Sequence, residues 1–462
     1  MNRPLRRVLV ANRGEIAVRI VRACHDEGLE AVVAVSDADE NSLAARLADG
    51  VVHVGPPSAA QSYLRVEQVV SAALLAGCDA IHPGYGFLSE RPELAEACAS
   101  NEVVFVGPTA ESIRLGGDKV SARALARAVG VPVGDGSDTV ADGVAGVAVA
   151  DRVGYPVLLK AAAGGGGRGM VRVDDAAELA DRFAVASNEA RAAFGDGRLY
   201  VERLVENARH VEVQLLADRH GSIVHLGDRD CSVQRRYQKM VEEAPAAGLS
   251  ADMHDRLAAA AVAIGRELDY VGAGTVEFLV DLDRQEFSFL EVNTRVQVEH
   301  PVTEMVTGVD IVREQLRIAA GRPLSFSQDD ISVSGHAIEC RINAESPDAG
   351  FLPSPGALDE WRPPAGAGIR VDSHAFRGYV IPPYYDSLLG KLIVAGGDRV
   401  ETIDRLSKAL SAFEVRGVET TIGLHRYIVD HPDFRAGSIN TTWLERVLLR
   451  EYASRYAENG VV

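Results

Sequence analysis

The segment from Leu290 to Pro301, Leu-Glu-Val-Asn-Thr-Arg-Val-Gln-Val-Glu-His-Pro, constrains this chain more tightly than any other. Its odd positions Glu291, Asn293, Arg295, Gln297 and Glu299 are all strongly polar, while Val292, Thr294, Val296 and Val298 alternate with them. An extended chain sends alternate side chains to opposite faces, so a strand here gathers every polar group on one side. An ordinary solvated strand face carries Lys, Thr and Glu without order. This one sets out a carboxylate, an amide, a guanidinium, a second amide and a second carboxylate. Upstream, residues 275–282 read as a strand, 283–285 as a turn and 286–290 as the return strand. With that loop Leu282 faces Glu286, and counting back brings Glu277 opposite Glu291. Opposed carboxylates repel across an antiparallel pair. A divalent cation between them removes the penalty, and magnesium favours carboxylate oxygens and substrate phosphates. The alternative is a slipped register that separates the two.

The chain has 462 residues, which suits two to four domains. Its formal net charge of −18 argues against bulk nucleic-acid or anionic-membrane binding. A polyanionic ligand would therefore need locally gathered Lys and Arg. Cys24, Cys78, Cys98, Cys231 and Cys340 are scattered without metal-type spacing, which suggests core thiols in a reducing compartment. The N-terminus has no apolar signal core and no apolar run is long enough to span a bilayer, so a cytoplasmic protein is expected.

Residues 8–11, 14–24 and 31–35 read as strand, helix and strand, with Ile16, Ile20, Ala23 and Cys24 on one helix face. This is a βαβ unit and implies a parallel sheet. Its turn, Asn12-Arg13-Gly14-Glu15, lacks a dinucleotide fingerprint. Residues 81–90 set glycines around Tyr85 at a strand end. They suit a loop over a crevice, although a structural turn is the plainer reading. Asp118 caps a helix over 119–129. Residues 134–146 look like a linker. A strand ending in Lys160 then meets Gly164-Gly165-Gly166-Gly167-Arg168-Gly169, and residues 170–173 are strand again. This is no Walker A loop. The entropic cost of ordering so many glycines favours a lid that closes on ligand phosphates over a slack turn. Residues 199–205 and 209–215 read as strands. Arg229, Arg235, Arg236 and Lys239 crowd one stretch, as an anion site or as a solvated charged face. An amphipathic helix over 251–268 follows. Beyond Pro323 the texture changes to a separate α+β region, with strands at 338–344 and 386–394 and a helix from Arg399 packing through Ile403, Leu406, Leu410 and Phe413.

Several motifs occur in one order: 11–17 (Ala-Asn-Arg-Gly-Glu-Ile-Ala), 82–90, Gly117-Asp118-Lys119, 164–170, Glu242-Glu243-Ala244-Pro245 and 291–304. In this the chain resembles biotin carboxylase, an ATP-grasp family within the biotin-dependent carboxylases, over roughly residues 7–448. The resemblance implies an α/β and α+β architecture. A Rossmann-like pre-ATP-grasp domain spans 1–116, an ATP-grasp domain 117–331 with a mobile lid at about 133–205, a C-terminal domain 332–448 and a tail 449–462. It implies ATP-dependent carboxylation of biotin by bicarbonate through carboxyphosphate, the first half-reaction of acetyl-CoA or acyl-CoA carboxylase. The competing reading is another ATP-grasp ligase, of the carboxylate–amine or carbamoyl-phosphate type.

By the same resemblance Lys119, Lys160, Gly166, Gly167 and His210 hold ATP phosphates. Glu202, Arg203, Leu204 and Val205 meet the adenine largely through backbone, and Gln234, Tyr237 and Leu279 complete the nucleotide pocket. Glu277, Glu291 and Asn293 bind two magnesium or manganese ions. Lys239, Arg295, Gln297 and the Val298 amide take bicarbonate. Glu299 is the general base, with Arg295 and Lys239 as catalytic partners. Tyr85 and Arg341 hold biotin, and Arg341, on another strand and in another domain, is assigned to biotin alone. Tyr237 stands where the family usually has histidine, and Arg203 where it often has lysine. Lys239-Met240 is not a biotin acceptor sequence, so the biotin is expected on a separate carrier protein. Carboxyltransferase subunits and a second copy of the chain are the other partners implied.

Overall fold

The computed structural model describes residues 5–163 and 169–458. Val8, Leu9 and Val10, all fully buried, make β1 (Arg7–Val10) the centre of a parallel sheet. The helix α1 (Gly14–Asp26) buries Ile16, Ile20, Ala23 and Cys24 against it and returns the chain to β2 (Glu30–Ser36). With β3 (Gly50–Gly55), β4 (Ala80–His82) and β5 (Val104–Phe105) the sheet order is β3-β2-β1-β4-β5, every pairing parallel. The strand order reverses between β1 and β4, and the crevice outside such a reversal is where open α/β sheets place ligands. The loop after β4 is pinned there. Asn12 donates from Nδ2 to the carbonyls of Pro83 and Tyr85, each at 2.7 Å. Gly84 and Gly86 supply the positive φ values of 62° and 67° that the turn needs.

Asp118 caps α2 (Lys119–Ala128), accepting from the Ser121 amide at 2.8 Å. The stretch expected to be a linker is structured. It contains β6 (Gly136–Val140) and the start of α3 (Gly143–Val153). Its glycines serve close approach, not slackness: a Cβ on Gly136 would stand 2.2 Å from the Val201 carbonyl, and one on Gly134 2.7 Å from the Glu202 carboxyl. With β7 (Val157–Ala161), β8 (Met170–Val173), α4 (Ala176–Phe194) and β9 (Leu199–Arg203), these form an antiparallel sheet in the order β6-β9-β7-β8, backed by α3 and α4. The glycine-rich tip between β7 and β8, Gly166 and Gly167 included, lies outside the described residues at 164–168.

The largest sheet gathers β10 (Ala208–Ala217), β11 (Ile223–Arg235), β12 (Gln238–Ala244), β13 (Gly272–Asp281), β14 (Glu286–Asn293), β15 (His336–Asn343), β16 (Ile369–Ser373) and β17 (Leu388–Gly396). Its order is β14-β13-β10-β11-β12-β15-β17-β16. Between β12 and β13 the helix α5 (Ala251–Glu267) buries Met253, Leu257, Ala261 and Ile264. The helix α6 (His300–Thr307) follows the polar segment, and α7 (Arg399–Ala412) buries Ile403, Leu406 and Leu410. The region after Pro323, expected to be separate, is not separate in its sheet: β15 pairs with β12 through Val241↔Cys340 and Glu242↔Glu339. The apolar cluster over this join mixes Val233, Met240 and Val241 with Ile338, Cys340 and Leu392. All five cysteines are free and buried. Among the described residues no helix is long and apolar enough to cross a membrane.

Candidate active site

The β13–β14 hairpin does bring Glu277 opposite Glu291, by a route different from the one the sequence suggested. Asp281, not Leu282, faces Glu286, so the loop is a residue longer than expected. An irregularity between Phe278↔Phe289 and Glu277↔Glu291 then restores the register. Such bulges re-aim side chains next to functional sites. The polar segment also differs from expectation. β14 ends at Asn293, and Thr294–Glu299 forms a loop whose last residue caps α6. The alternation still sorts the side chains, with Thr294 and Val296 buried and Asn293, Arg295, Gln297 and Glu299 meeting on the other side.

They meet around Lys239 on β12. Its ammonium donates to Glu212 Oε2 at 2.6 Å, Glu299 Oε1 at 2.6 Å and Glu277 Oε1 at 3.0 Å. Glu277 Oε1 also accepts from Asn293 Nδ2 at 2.8 Å and Gln297 Nε2 at 3.2 Å, and its Oε2 lies 2.8 Å from His210 Nε2. Arg341 on β15 bonds Glu242 Oε1 at 2.6 Å and Glu299 Oε2 at 2.9 Å. The fully buried Arg229 holds Glu212 Oε1 at 2.6 Å. Arg295 reaches Gln297 Oε1 at 2.7 Å, Asn293 Oδ1 at 3.0 Å and Glu90 at 2.9 Å.

These charges set one another's protonation. Burial alone would push the Glu299 carboxyl up, but Lys239, Arg341 and Arg229 outweigh it and hold Glu299 well below the usual carboxylate range. Glu277 is held down in the same way against burial, by Lys239 and His210. His210 in turn is raised: burial disfavours its charge, and Glu277 more than offsets that. Lys239 is raised well above an ordinary lysine despite its burial, by the surrounding anions. Glu242 goes the other way, to about 7, because burial and the neighbouring Glu299 outweigh Arg341.

His210, Glu212 and Glu277, and likewise Glu212, Cys231 and Glu299, lie close enough to share a metal ion. The Lys239 ammonium already fills the space between those carboxylates. Glu277, Glu291 and Asn293 offer the oxygen donors that a magnesium ion takes: the two carboxylates are paired across the hairpin, Thr275↔Asn293 follows in register, and Glu291 has Lys119 at 3.3 Å. The Asn293 oxygen faces Arg295 and would have to turn to ligate.

On the neighbouring sheet Lys160 lies 2.5 Å from Glu202 Oε1, and Arg123 holds Glu202 Oε2 at 2.7 Å. Lys160 and Glu202 share a face because Leu158 pairs with Glu202 across β7–β9. Arg203 turns its side chain away, to Asp281 at 3.1 Å. The Arg203 and Leu204 amides donate to the Asp135 and Pro156 carbonyls. Val205 follows, half-buried, and Leu279 is half-buried on β13. Gln234 is buried opposite Lys239. Tyr237 is 51% exposed at the β11–β12 turn, with φ of 67°. Arg229, Arg235, Arg236 and Lys239 do not form one anion patch. Arg229 and Lys239 join the buried cluster, while Arg235 stacks on Phe351 at 3.9 Å. The Tyr85 hydroxyl donates to Glu15. Arg341, expected to serve biotin alone, also contacts Glu299.

The sequence reading assigned no role to Glu212, Glu242, Arg123 or Glu90, and offered Arg229 only as one of four cations in a stretch. Glu212 had a signal, since it shares a strand face with His210 two residues earlier. Glu242 stood in a recognised motif without a role. Arg123 and Glu90 reach the site across 79 and 205 residues of chain, respectively; no local pattern marks Arg123, and Glu90 closed a recognised motif without a role.

Three family models match the chain in succession. They are the biotin carboxylase N-terminal domain at residues 4–113, the carbamoyl-phosphate synthase L chain ATP-binding domain at 118–327, and the biotin carboxylase C-terminal domain at 339–446. The chain is 49% identical over 442 residues to a biotin carboxylase of Nostoc, covering 96% of this chain and 99% of that one. It superposes on the Campylobacter jejuni biotin carboxylase–β,γ-ATP complex with a TM-score of 0.93, at 43% identity, covering 96% and 99% of the two chains. A third relative is the biotin carboxylase domain of Hydrogenobacter thermophilus 2-oxoglutarate carboxylase, solved with MgADP, ADP and bicarbonate. It gives a TM-score of 0.91 at 45% identity, covering 96% and 98%.

Proposed function

The chain belongs to the biotin carboxylase family, and from that premise we propose how its residues divide the work. It is an ATP-grasp ligase that carboxylates biotin with bicarbonate at the expense of ATP, using a divalent metal. The observation that carries the assignment of roles is the Lys239 ammonium held between Glu299, Glu277 and Glu212, with Arg341 on the other Glu299 oxygen. Here two cations converge on one buried carboxylate beside the hairpin carboxylates.

In this reading Glu277, Glu291 and Asn293 hold two magnesium or manganese ions. Bound there, the ions neutralise charge on the ATP phosphates and on the transferring phosphoryl group. Lys119, Lys160 and His210 stand over the same phosphates, with Gly166 and Gly167 assigned beside them. Glu202, Arg203, Leu204, Val205, Gln234, Tyr237 and Leu279 line the nucleotide site. Bicarbonate binds between Lys239, Arg295, Gln297 and the Val298 amide. Glu299 accepts the bicarbonate proton. A bicarbonate oxygen attacks the γ-phosphorus, the bond to the β-phosphate oxygen breaks, and ADP leaves with that electron pair. The resulting carboxyphosphate breaks its C–O bond to carbon dioxide and phosphate. The phosphate takes the biotin ring N–H proton, and the nitrogen forms the new N–C bond.

Electrostatics explains why Glu299 can serve. A carboxylate held far below neutral by two cations is a weak base. The incoming anion competes for Lys239 and Arg341, loosens their hold on Glu299 and raises its basicity as the substrate arrives. Tyr85 and Arg341 receive the biotin. It arrives on a separate carrier protein, and carboxyltransferase subunits and a second copy of the chain complete the assembly. The final carboxyl acceptor lies with the carboxyltransferase. The test is ADP release with bicarbonate, with and without free biotin. Bicarbonate-dependent release coupled to carboxybiotin is expected. Release driven by an amine or amino acid instead would overturn the reading.

A further inference from the structure

Lys391 takes no part in the steps above, yet it is fully buried beside them. It lies on β17 directly opposite Arg341 in register, so two cations face each other across the sheet. Each has carboxyls of its own, and Glu339 and Asp372 stand near Lys391 beside Glu15. Arg341 has Glu242 and Glu299, while Lys391 Nζ lies 3.0 Å from Glu15 Oε1. Lys391 also donates to the Val298 carbonyl at 2.7 Å. The same Glu15 oxygen accepts from the Tyr85 hydroxyl, and Glu15 Oε2 has no hydrogen-bond partner among the described residues. A continuous hydrogen-bonded and ion-paired chain therefore runs from Tyr85 through the buried Glu15 on α1 and Lys391 on β17 to the peptide joining Val298 to Glu299. Its members are brought together from the parallel-sheet region, the polar loop and the far end of the large sheet.

Stability alone gives little reason for this arrangement. A buried ion pair at best roughly balances its desolvation, and apolar residues of the same volume serve a core as well or better. What the pair does provide is a charge-assisted bond to one particular carbonyl, stronger and more directional than a neutral one. The Val298 carbonyl belongs to the peptide plane from which Glu299 departs, and fixing that plane fixes where the Glu299 carboxylate points.

We propose that Lys391, held by Glu15, is a positioning residue for the bicarbonate step. It clamps the Val298–Glu299 peptide and ties it to Tyr85. The proposal rests on the assignment of Val298 and Glu299 to bicarbonate made above.

The test uses the full chain. Lys391→Met alone leaves the Glu15 carboxylate buried without its cation and lowers thermal stability. Glu15→Gln/Lys391→Met removes both charges and recovers most of the loss. A structural role would restore turnover along with stability. The positioning role predicts that the double variant, though stable, keeps the parent's KM for ATP while its kcat for bicarbonate-dependent ADP release falls about 10–100-fold, as when a group orienting a reactive one is lost. If the double variant does not fold, Glu15→Gln alone carries the test. It weakens the hold on Lys391, and the same pattern is expected at the lower end of that range. A folded variant with the parent's kcat and bicarbonate KM overturns the proposal, as does an equal loss of ATP affinity, which would mean general damage. The two failures are separable. If Glu299→Gln releases ADP like the parent, the bicarbonate assignment itself has failed. If Glu299→Gln is inactive while the double variant is not, only the role of Lys391 has.

Discussion

Replacing Glu299 by Gln separates chemistry from folding more cleanly than any other change in this site. The substitution keeps the shape of a fully buried side chain and removes one charge. Two charge-assisted bonds are altered, to Lys239 at 2.6 Å and Arg341 at 2.9 Å, each of a kind worth roughly 1.5–3 kcal/mol. Neither cation is orphaned. Lys239 keeps Glu212 at 2.6 Å and Glu277 at 3.0 Å, and Arg341 keeps Glu242 at 2.6 Å. The desolvation cost of Glu299 also disappears, and this works in the opposite direction. The net loss of stability is therefore expected to be about 1–2 kcal/mol, within the range of an ordinary substitution. The loss of turnover is expected to be larger. A missing general base costs about 10²–10⁴-fold, equivalent to roughly 3–5 kcal/mol in the barrier. A coupled ADP assay at saturating ATP, titrated with bicarbonate, measures it, with thermal unfolding run in parallel. Saturation matters because a nucleotide-binding defect would otherwise pass for a chemical one. A folded Glu299→Gln protein that hydrolyses ATP at the parent rate refutes the assignment of the base and the mechanism built on it.

Arg341→Ser should lose biotin carboxylation by roughly 10²-fold through misplacement of the reacting nitrogen, and lose less of the bicarbonate-dependent ATP hydrolysis. Equal loss of both in the paired assay would show that its contact with Glu299 matters more than any contact with biotin. Glu277→Gln and Glu291→Gln should each raise the magnesium concentration needed for half-maximal turnover, because each removes a charged oxygen from the metal site; unchanged metal titrations in both variants would remove them from it. His82, His374 and His425 are held neutral by burial at about 3, about 3 and about 4, against roughly 6.5 when unfolded. Depressed folded values mean that their contribution is fully present above pH 6.5 and is lost as pH falls toward 4, by about 2 kcal/mol each at pH 5. Unfolding midpoints across that window should fall with pH, and His425→Gln should flatten the slope.

The sequence made the local patterns plain and left the long-range ones hidden. The helix α1 and its flanking strands were legible because burial leaves a periodicity in the residues themselves. Glu277 was brought opposite Glu291 by counting from a loop one residue too short, and the extra residue Leu290, between the Phe278↔Phe289 and Glu277↔Glu291 pairs, cancelled the error. Bulges carry no compositional mark, so that agreement was partly fortunate. The polar face from Glu291 to Glu299 was recognised as a unit although only its first part is strand, because a loop can keep side-chain alternation without ladder bonds. Gly134 and Gly136 read as slack because composition does not distinguish a flexible glycine from one that lets another strand come close. Glu242 and Lys391 gain their meaning only when β12, β15 and β17 lie side by side, and that adjacency spans most of the chain.

The pairing of β12 with β15 bears on how the molecule can be cut. Glu242 and Glu243 lie on opposite faces of β12, and each takes its partners from beyond that strand: Glu242 meets Arg341 on β15, and Glu243 meets His336 on β15 and Arg399 on α7. A fragment ending before His336 would keep the nucleotide-facing hairpin but leave β12 as an open edge with two acidic side chains stripped of their cations. Exposed edges of this kind invite pairing with another chain. The catalytic half thus has no clean seam along which it could be recombined with a foreign C-terminal region. Exchange between relatives would have to carry both strands of that joint together, whatever else is swapped around them.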